Sequence, residues 1–587
     1  MSRFHVAIER LTDLKGNGFS RARKQPNTKS ACAPSIPRSL RNGWESTPFF
    51  TARLLCALTL LLACLPALSQ AATYRIAGTV VNAVTGEPVP CAFAALLSSE
   101  NRHPVASVAC DSDGRFAFEG LPAGKFSLTA SKRGYLSAFY NEHKQFSSAI
   151  VTGDGQQTED FALRLNPKAS LQVDVTDEAG DPVEKAAIHL FLRLHGYGVG
   201  ERIISIADST TDDTGACDFG DLAPGEYFLA VTARPWYAMH GPATPVSAAE
   251  GKNVNPALDV AYPVTYFDSV TDEAAATPIV LAAGAHERVS INLHPLLALH
   301  LYVPVPEGQE NALPPPKLRQ PLFGTAISPE DFGVPASIEN GMAEFVGVPP
   351  GHYELQQGDP PRVADLNATT SQQVLSTAGT PTAAIHVTVR NATGSALPDK
   401  LQLALNWADP AHPRTWIIAT CDKDEASFEA VPPGVYQLLV LSDDENALYP
   451  VASITAGGQT RPWNKITVGD HPLSLTVTLR PSDTLIEGFA RRGEKSAPGV
   501  MVVLVPNDPA NHLDLFRLDQ SDSDGSFELR NVAPGQYTLV AIEDGWELEW
   551  ERPEVIGRYL PGGIPVTVTE SSGKLVRLSE ALPVQAR

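Results

Sequence analysis

One octapeptide constrains this chain more than any other feature, because it is written five times. It reads LPAGKFSL at Leu121–Leu128, LAPGEYFL at Leu222–Leu229, VPPGHYEL at Val348–Leu355, VPPGVYQL at Val431–Leu438 and VAPGQYTL at Val532–Leu539. Each copy has an aliphatic residue, a glycine three positions later, an aromatic two after that and a leucine two further on. The pivot glycines Gly124, Gly225, Gly351, Gly434 and Gly535 stand about one small domain apart, so the 587-residue chain reads as a tandem array. Pro or Ala before Gly is turn chemistry, and it predicts a type II turn with the glycine at positive φ. The aromatic and the leucine then share one face of a strand. Upstream, Gly114, Phe116 and Phe118 keep the same period of two, as do Gly525, Phe527 and Leu529. Strands this short need a second sheet over them. The expected fold is therefore all-β, a row of about five Ig-like or transthyretin-like β-sandwich modules.

The modules are expected at 74–167, 169–295, 296–391, 392–481 and 482–587. The second carries an insertion around Trp236–Pro263, read as a long loop or short helix. The third is the most divergent, with Ala343 in the place of Phe116. The fourth has Asp424 where the others have a turn glycine. Abundant Gly (44) and Pro (49) suit turn-dense β structure.

Ahead of the array, Arg53 is followed by LLCALTLLLACLPALSQA. A charged start, an apolar core and the small residues Ser69 and Ala71 make 53–71 a signal peptide. A membrane anchor is the alternative, but the run is short and contains Pro66. Cys64, ending LLAC, offers a lipoprotein end as the minority reading for an outer-membrane location. Residues 1–52 form a basic leader, either disordered or the product of a start codon placed too early. Residues 1–53 hold ten basic and three acidic side chains, while the whole chain has a net charge of −21, so the array is strongly acidic. Such a chain repels nucleic acid and anionic membranes. The mature protein is expected to be secreted or periplasmic, without a transmembrane segment.

The stretches GTVVNAVTGEPVPCAFAALL and DSDGRFAFEGLPAGKFSLTASKRGY resemble the carboxypeptidase regulatory-like family. That resemblance implies a transthyretin-like β-sandwich, near in fold to starch-binding-like modules. It is clearest in modules one and five. The family's motif residues are turn and core positions, so the resemblance carries over no catalytic residue.

The chemistry motifs are few. There is no His-x-x-Glu pair for zinc, no Gly-x-Ser-x-Gly elbow and no phosphate loop, so neither a metal nor a cofactor is expected. Asp111-Ser112-Asp113-Gly114 and Asp522-Ser523-Asp524-Gly525 resemble half a calcium loop but are read as Asx turns. Cys91 and Cys110 lie about equally far from a turn near Glu100-Asn101, and a hairpin centred there would face them for a disulfide. Cys217 takes the slot of Phe116 and reads as a core thiol. Tyr135, Trp236 and Trp546 each fall seven residues after the last leucine of an octapeptide. As exposed rings they would stack sugars; as buried rings they would plug a sandwich end. Trp236 with Tyr237, and Trp546 with Trp550, are the clustered candidates. The expectation is a non-enzymatic binding or spacer protein of the cell envelope, with an envelope protein or a glycan as partner. A carbohydrate-binding accessory to polysaccharide degradation is the alternative, and an enzyme with its site in the Trp236–Pro263 insertion is a third reading.

Overall fold

A computed structural model describes residues 73–587 except 100–101, 196–200, 241–254, 306–313, 328, 330–331, 359–361, 371–372, 375–379, 393, 395, 398–400, 408–415, 443–447, 462–463, 481, 483 and 570–573. The leader, the signal segment and Cys64 lie outside the described residues. Among the described residues the structure is strand and turn, and its α-helix is the single turn Pro553–Ile556. No helix among them is long and apolar enough to cross a membrane. By its contacts the chain divides into two compact units, one built on the first bead and one holding beads two to five.

Five beads share one wiring. The first strand of bead one, Tyr74–Asn82, pairs antiparallel with Arg115–Leu121 and parallel with Phe161–Leu165. Ala169–Thr176 does the same with Ala216–Leu222 and His286–Asn292. The third, fourth and fifth beads repeat it from Leu299–Pro304, Ala383–Asn391 and Leu485–Arg492. In beads one to four a second sheet is centred on the strand that starts at the pivot glycine: Gly124–Ser131, Gly225–Thr232, Gly351–Gln357 and Gly434–Ser442. Each bead encloses its own apolar core. The strand Ala383–Asn391, assigned from sequence to the end of module three, opens bead four and packs in that bead's core. The boundary drawn from sequence fell after this strand, although Gly379 and Pro381 stand just ahead of it. In bead five the last strand, Leu582–Gln585, pairs parallel with both Leu485–Arg492 and Gly535–Ile542. It joins the two layers into one nine-stranded sheet.

The octapeptide is the corner where the chain leaves one sheet for the other. Its glycine does not work as the turn rule predicted, since none of the five pivots has positive φ. The left-handed residue lies four positions earlier in four copies: Gly120 (74°), Asp221 (60°), Gly347 (70°) and Asn531 (57°). In beads two, four and five glycine is required at the pivot by close packing, whereas a Cβ on Gly124 or Gly351 would meet nothing nearer than 3.7 Å. A Cβ on Gly535 would stand 3.1 Å from the Tyr537 ring, one on Gly225 2.9 Å from Leu192 and one on Gly434 2.9 Å from the Trp407 indole.

The corner's aromatic carries a hydrogen bond that the sequence pattern did not disclose. In beads two to five its hydroxyl donates to the carbonyl four residues back: Tyr227 to Ala223 (2.6 Å), Tyr353 to Pro349 (2.8 Å), Tyr436 to Pro432 (2.8 Å) and Tyr537 to Ala533 (2.8 Å). This is a tyrosine corner. Bead one has Phe126 at that position and no hydroxyl. There the matching carbonyl, Pro122 O, accepts instead from Thr152 Oγ1 at 2.7 Å.

Upstream of the corner, the carbonyls of Gly114, Gly215 and Gly525 accept from first-strand N–H groups, and so does that of Asp424. Asp424 tolerates its place because the left-handed residue there is Lys423, at φ 60°. Asp111 forms the expected Asx turn, its Oδ1 accepting from Asp113 N (2.9 Å) and Arg115 N (2.8 Å). Asp212 repeats that turn in bead two.

Beads two and three are sealed by a second core. Phe323, in the hairpin turn of bead three, inserts among Phe191, Phe228 and Tyr266 of bead two with ring centroids 5.0–5.4 Å apart. Beads four and five meet through polar groups. Buried Asp514 accepts from Asn464 Nδ2 (3.2 Å) and Val451 N (3.3 Å), and Gln437 Nε2 donates to Asn511 O (3.1 Å).

Candidate functional site

Burial sorts the candidate rings. Trp546 and Trp550 are 5% and 6% exposed. Trp546 sits in the 3₁₀ turn Gly545–Glu547 and donates to Gly499 O at 3.4 Å, while Trp550 packs on Phe516 with centroids 5.2 Å apart. Both plug the end of bead five, so a ligand has no ring face to stack on there. Tyr135 likewise packs against the core of bead one. Trp236 differs: its relative exposure is 87%.

Sequence dictates how Trp236 is held. Beyond the strand Gly225–Thr232 the chain turns at Pro235, with Ala238 N donating to Pro235 O at 3.0 Å. Arg234 Nη2 donates across the same turn to Ala238 O (3.4 Å), and Met239 N to Leu258 O (2.8 Å). The turn presents Trp236 outward and Tyr237 against the bead. The two rings meet edge to face, 5.6 Å apart at 87°.

Tyr237 leads to a carboxylate. Its hydroxyl donates a short hydrogen bond to Glu178 Oε1, and Tyr262 donates to Oε2 at 2.9 Å. Glu178 rides on the tight turn Asp177–Asp181, where Asp177 Oδ1 accepts from Ala179 N and Asp181 N. Tyr262 is anchored in the core of bead two. Burial disfavours the Glu178 charge, but hydrogen bonds from Tyr237, its own backbone and Tyr262, with the nearby His294, outweigh it. The carboxyl is held below its usual value. Burial and then the bond to Glu178 push the Tyr237 phenol up to about 12, and the same causes raise Tyr262 further. The site is thus a solvent-facing indole beside an ionised acceptor fixed by two phenols. Sequence reasoning found Trp236 and Tyr237 but not Glu178 or Tyr262. Glu178 in an Asp-Glu-Ala-Gly-Asp turn reads like any solvated charge, and Tyr262 lies 25 residues along the chain from Tyr237.

The cysteine pairing is corrected. Cys91 is disulfide-bonded, but Cys110 is a free buried thiol, so the two are not joined. Near the hairpin turn Leu97 opposes Pro104, the register that would place Cys91 opposite Cys110. A bulge between Leu96 and Leu97 shifts it by one, so that Phe93 opposes Ala109 and Cys110 N bonds to Ala92 O. One residue of slip sends the two side chains to opposite faces. Cys110 and Cys217 both lie in cores, where burial raises their thiols, Cys110 to about 11. Among the described residues no group of three or more His, Cys, Asp or Glu is placed to hold a metal.

The carboxypeptidase regulatory-like domain model matches residues 75–164, which is bead one. No curated protein sequence matches the chain. Among solved structures, the chain is similar to the TIE protein of Bacillus anthracis at 10% identity, covering 70% of this chain and 75% of that one, TM-score 0.16. It is similar to the minor pilin of Streptococcus agalactiae at 14% identity, covering 38% and 96%, TM-score 0.19. It is also similar to the major pilin subunit of Bacillus cereus at 10% identity, covering 88% and 99%, TM-score 0.13. TM-scores this low give the likenesses no weight for function. The class defined by the fold is a multi-module β-sandwich protein, and its first module matches the carboxypeptidase regulatory-like domain model.

Proposed function

We propose that this is an exported, non-enzymatic binding protein of the cell envelope, and that bead two makes its ligand contact through Trp236, stacking a glycan. The observation that carries the reading is the 87% exposure of Trp236 on a support that is itself fixed. An exposed indole offers apolar area whose burial by a partner is favourable. Its face suits the apolar face of a pyranose, and the adjoining Glu178 suits sugar hydroxyls. Export rests on the 53–71 segment, and the non-enzymatic reading on a sequence without a zinc pair, a nucleophile elbow or a phosphate loop. The test is a glycan array and isothermal titration on the mature chain with Trp236→Ala beside Trp546→Ala. The expected result is that Trp236→Ala removes binding at unchanged melting temperature, while Trp546→Ala lowers stability and leaves binding in the folded fraction. Glycan binding that survives Trp236→Ala, or its absence from the unmodified protein, would overturn the reading.

A further inference from the structure

Resting on the glycan reading, we infer that Glu178 is the specificity-determining residue of the platform and restricts it to saccharides without acidic groups, neutral or amino-bearing. Both Glu178 oxygens already accept one phenol hydrogen each, from Tyr237 and Tyr262. A carboxylate oxygen has capacity for a further donor. The group has no proton to give, so what it can add is a ligand O–H or N–H. Sugar hydroxyls and ammonium groups supply these; the carboxylate of a uronate, or a sulfate group, presents only acceptors and a like charge.

The surroundings reinforce this choice. Asp177 stands beside Glu178, and its charge also reaches Tyr237 and Tyr262. Against these two carboxylates stand Arg234, already donating to Ala238 O, and His294. The two phenols fix the Glu178 carboxylate, so it cannot swing away from an approaching anion without breaking two hydrogen bonds. Trp236 supplies affinity without regard to which sugar is stacked, and Glu178 makes the distinction.

The experiment uses the full mature chain and three probes at equal ionic strength: cello-oligosaccharide, chitosan oligosaccharide and oligogalacturonate. Variants are Trp236→Ala, Glu178→Gln and Tyr237→Phe. The native protein is expected to bind one or both of the first two and not the third. Glu178→Gln should weaken the bound probe about tenfold, as for a charge-assisted hydrogen bond. It should also bring oligogalacturonate binding up about fivefold, a gain that shrinks as salt rises. Tyr237→Phe keeps the charge and should keep oligogalacturonate excluded, which separates charge from a general loosening of the turn. If the native protein binds oligogalacturonate as tightly as the others in a Trp236-dependent way, the inference fails and the glycan reading stands. The inference fails in the same way if Glu178→Gln leaves neutral binding unchanged. If no saccharide binds the native protein, the glycan reading itself fails and takes this inference with it.

Discussion

Bead one and bead four close the same corner with different side chains. In bead four the Tyr436 hydroxyl crosses back to Pro432 O; in bead one the ring is Phe126, and Thr152 Oγ1, arriving from a separate strand, serves Pro122 O. The pivot glycine that opens the next strand is shared, although bead four lacks the left-handed residue that bead one has at Gly120. What is constant is therefore a carbonyl at the sheet-to-sheet crossing that accepts a side-chain hydroxyl, a bond worth about 0.5–1.5 kcal/mol. Which residue pairs it is free to vary. The difference teaches that the repeat is kept by a pairing requirement on the backbone, and that the aromatic ring and its hydroxyl are separable parts.

That comparison can be broken in several ways, the most damaging first. Removing a corner ring altogether, as in Tyr353→Ala in bead three, where the side chain is fully buried, should cost about 3–5 kcal/mol by cavity formation. Urea unfolding with a reporter in bead three would read it. Alkaline titration should separate the beads next. Burial pushes Tyr227, Tyr436 and Tyr537 up to about 12, above an unfolded value near 10. A raised folded value means the stability is fully present below about pH 10 and is lost as pH rises through about 12. Beads two, four and five should weaken across that window while the corner of bead one, closed by a threonine, holds. Hydrogen exchange stopped by acid quench after brief exposure to each pH would show the order.

Smaller effects sharpen the equivalence. Tyr436→Phe removes the donor to Pro432 O, and Thr152→Val removes the hydroxyl that serves Pro122 O at 2.7 Å and Gly124 O at 3.2 Å; each should cost a similar amount, about 1–2 kcal/mol, in its own bead. Equilibrium denaturation of each variant gives the two numbers directly. A large cost for one and none for the other would mean the two bonds are not counterparts. Phe126→Tyr alone should be smallest, within about 0.5 kcal/mol of neutral, since Pro122 O already has a donor.

How much of this could be read from the chain depends on the range over which each feature is determined. The five corners, the Phe116 and Phe118 alternation and the buried place of Cys217 were legible because each is fixed by residues within one hairpin. The role of the pivot glycine was not. Pro-Gly suggested positive φ, but at Gly225, Gly434 and Gly535 the constraint is a side chain packed close on the glycine, from Leu192, Trp407 and Tyr537 in turn, which a turn rule does not see. The Cys91–Cys110 expectation failed on a single bulge, which has no signature in the sequence AFAALL. The Phe323 plug and the layer-bridging strand Leu582–Gln585 are long-range events and left no local mark. At the candidate site the spacing found Tyr135, Trp236 and Trp546 together. It could not tell which ring faces water, because exposure depends on what the rest of each bead brings over it.

The most direct test of the shared corner is a double-mutant cycle in bead one, combining Thr152→Val with Phe126→Tyr and measuring stability by urea denaturation. Thr152→Val alone should lose about 1–2 kcal/mol, and adding Phe126→Tyr should restore at least half of it, because the new hydroxyl takes over Pro122 O as tyrosine does in the other four beads. Losses that simply add, with no recovery in the double variant, would contradict the claim that one corner design is repeated along the chain.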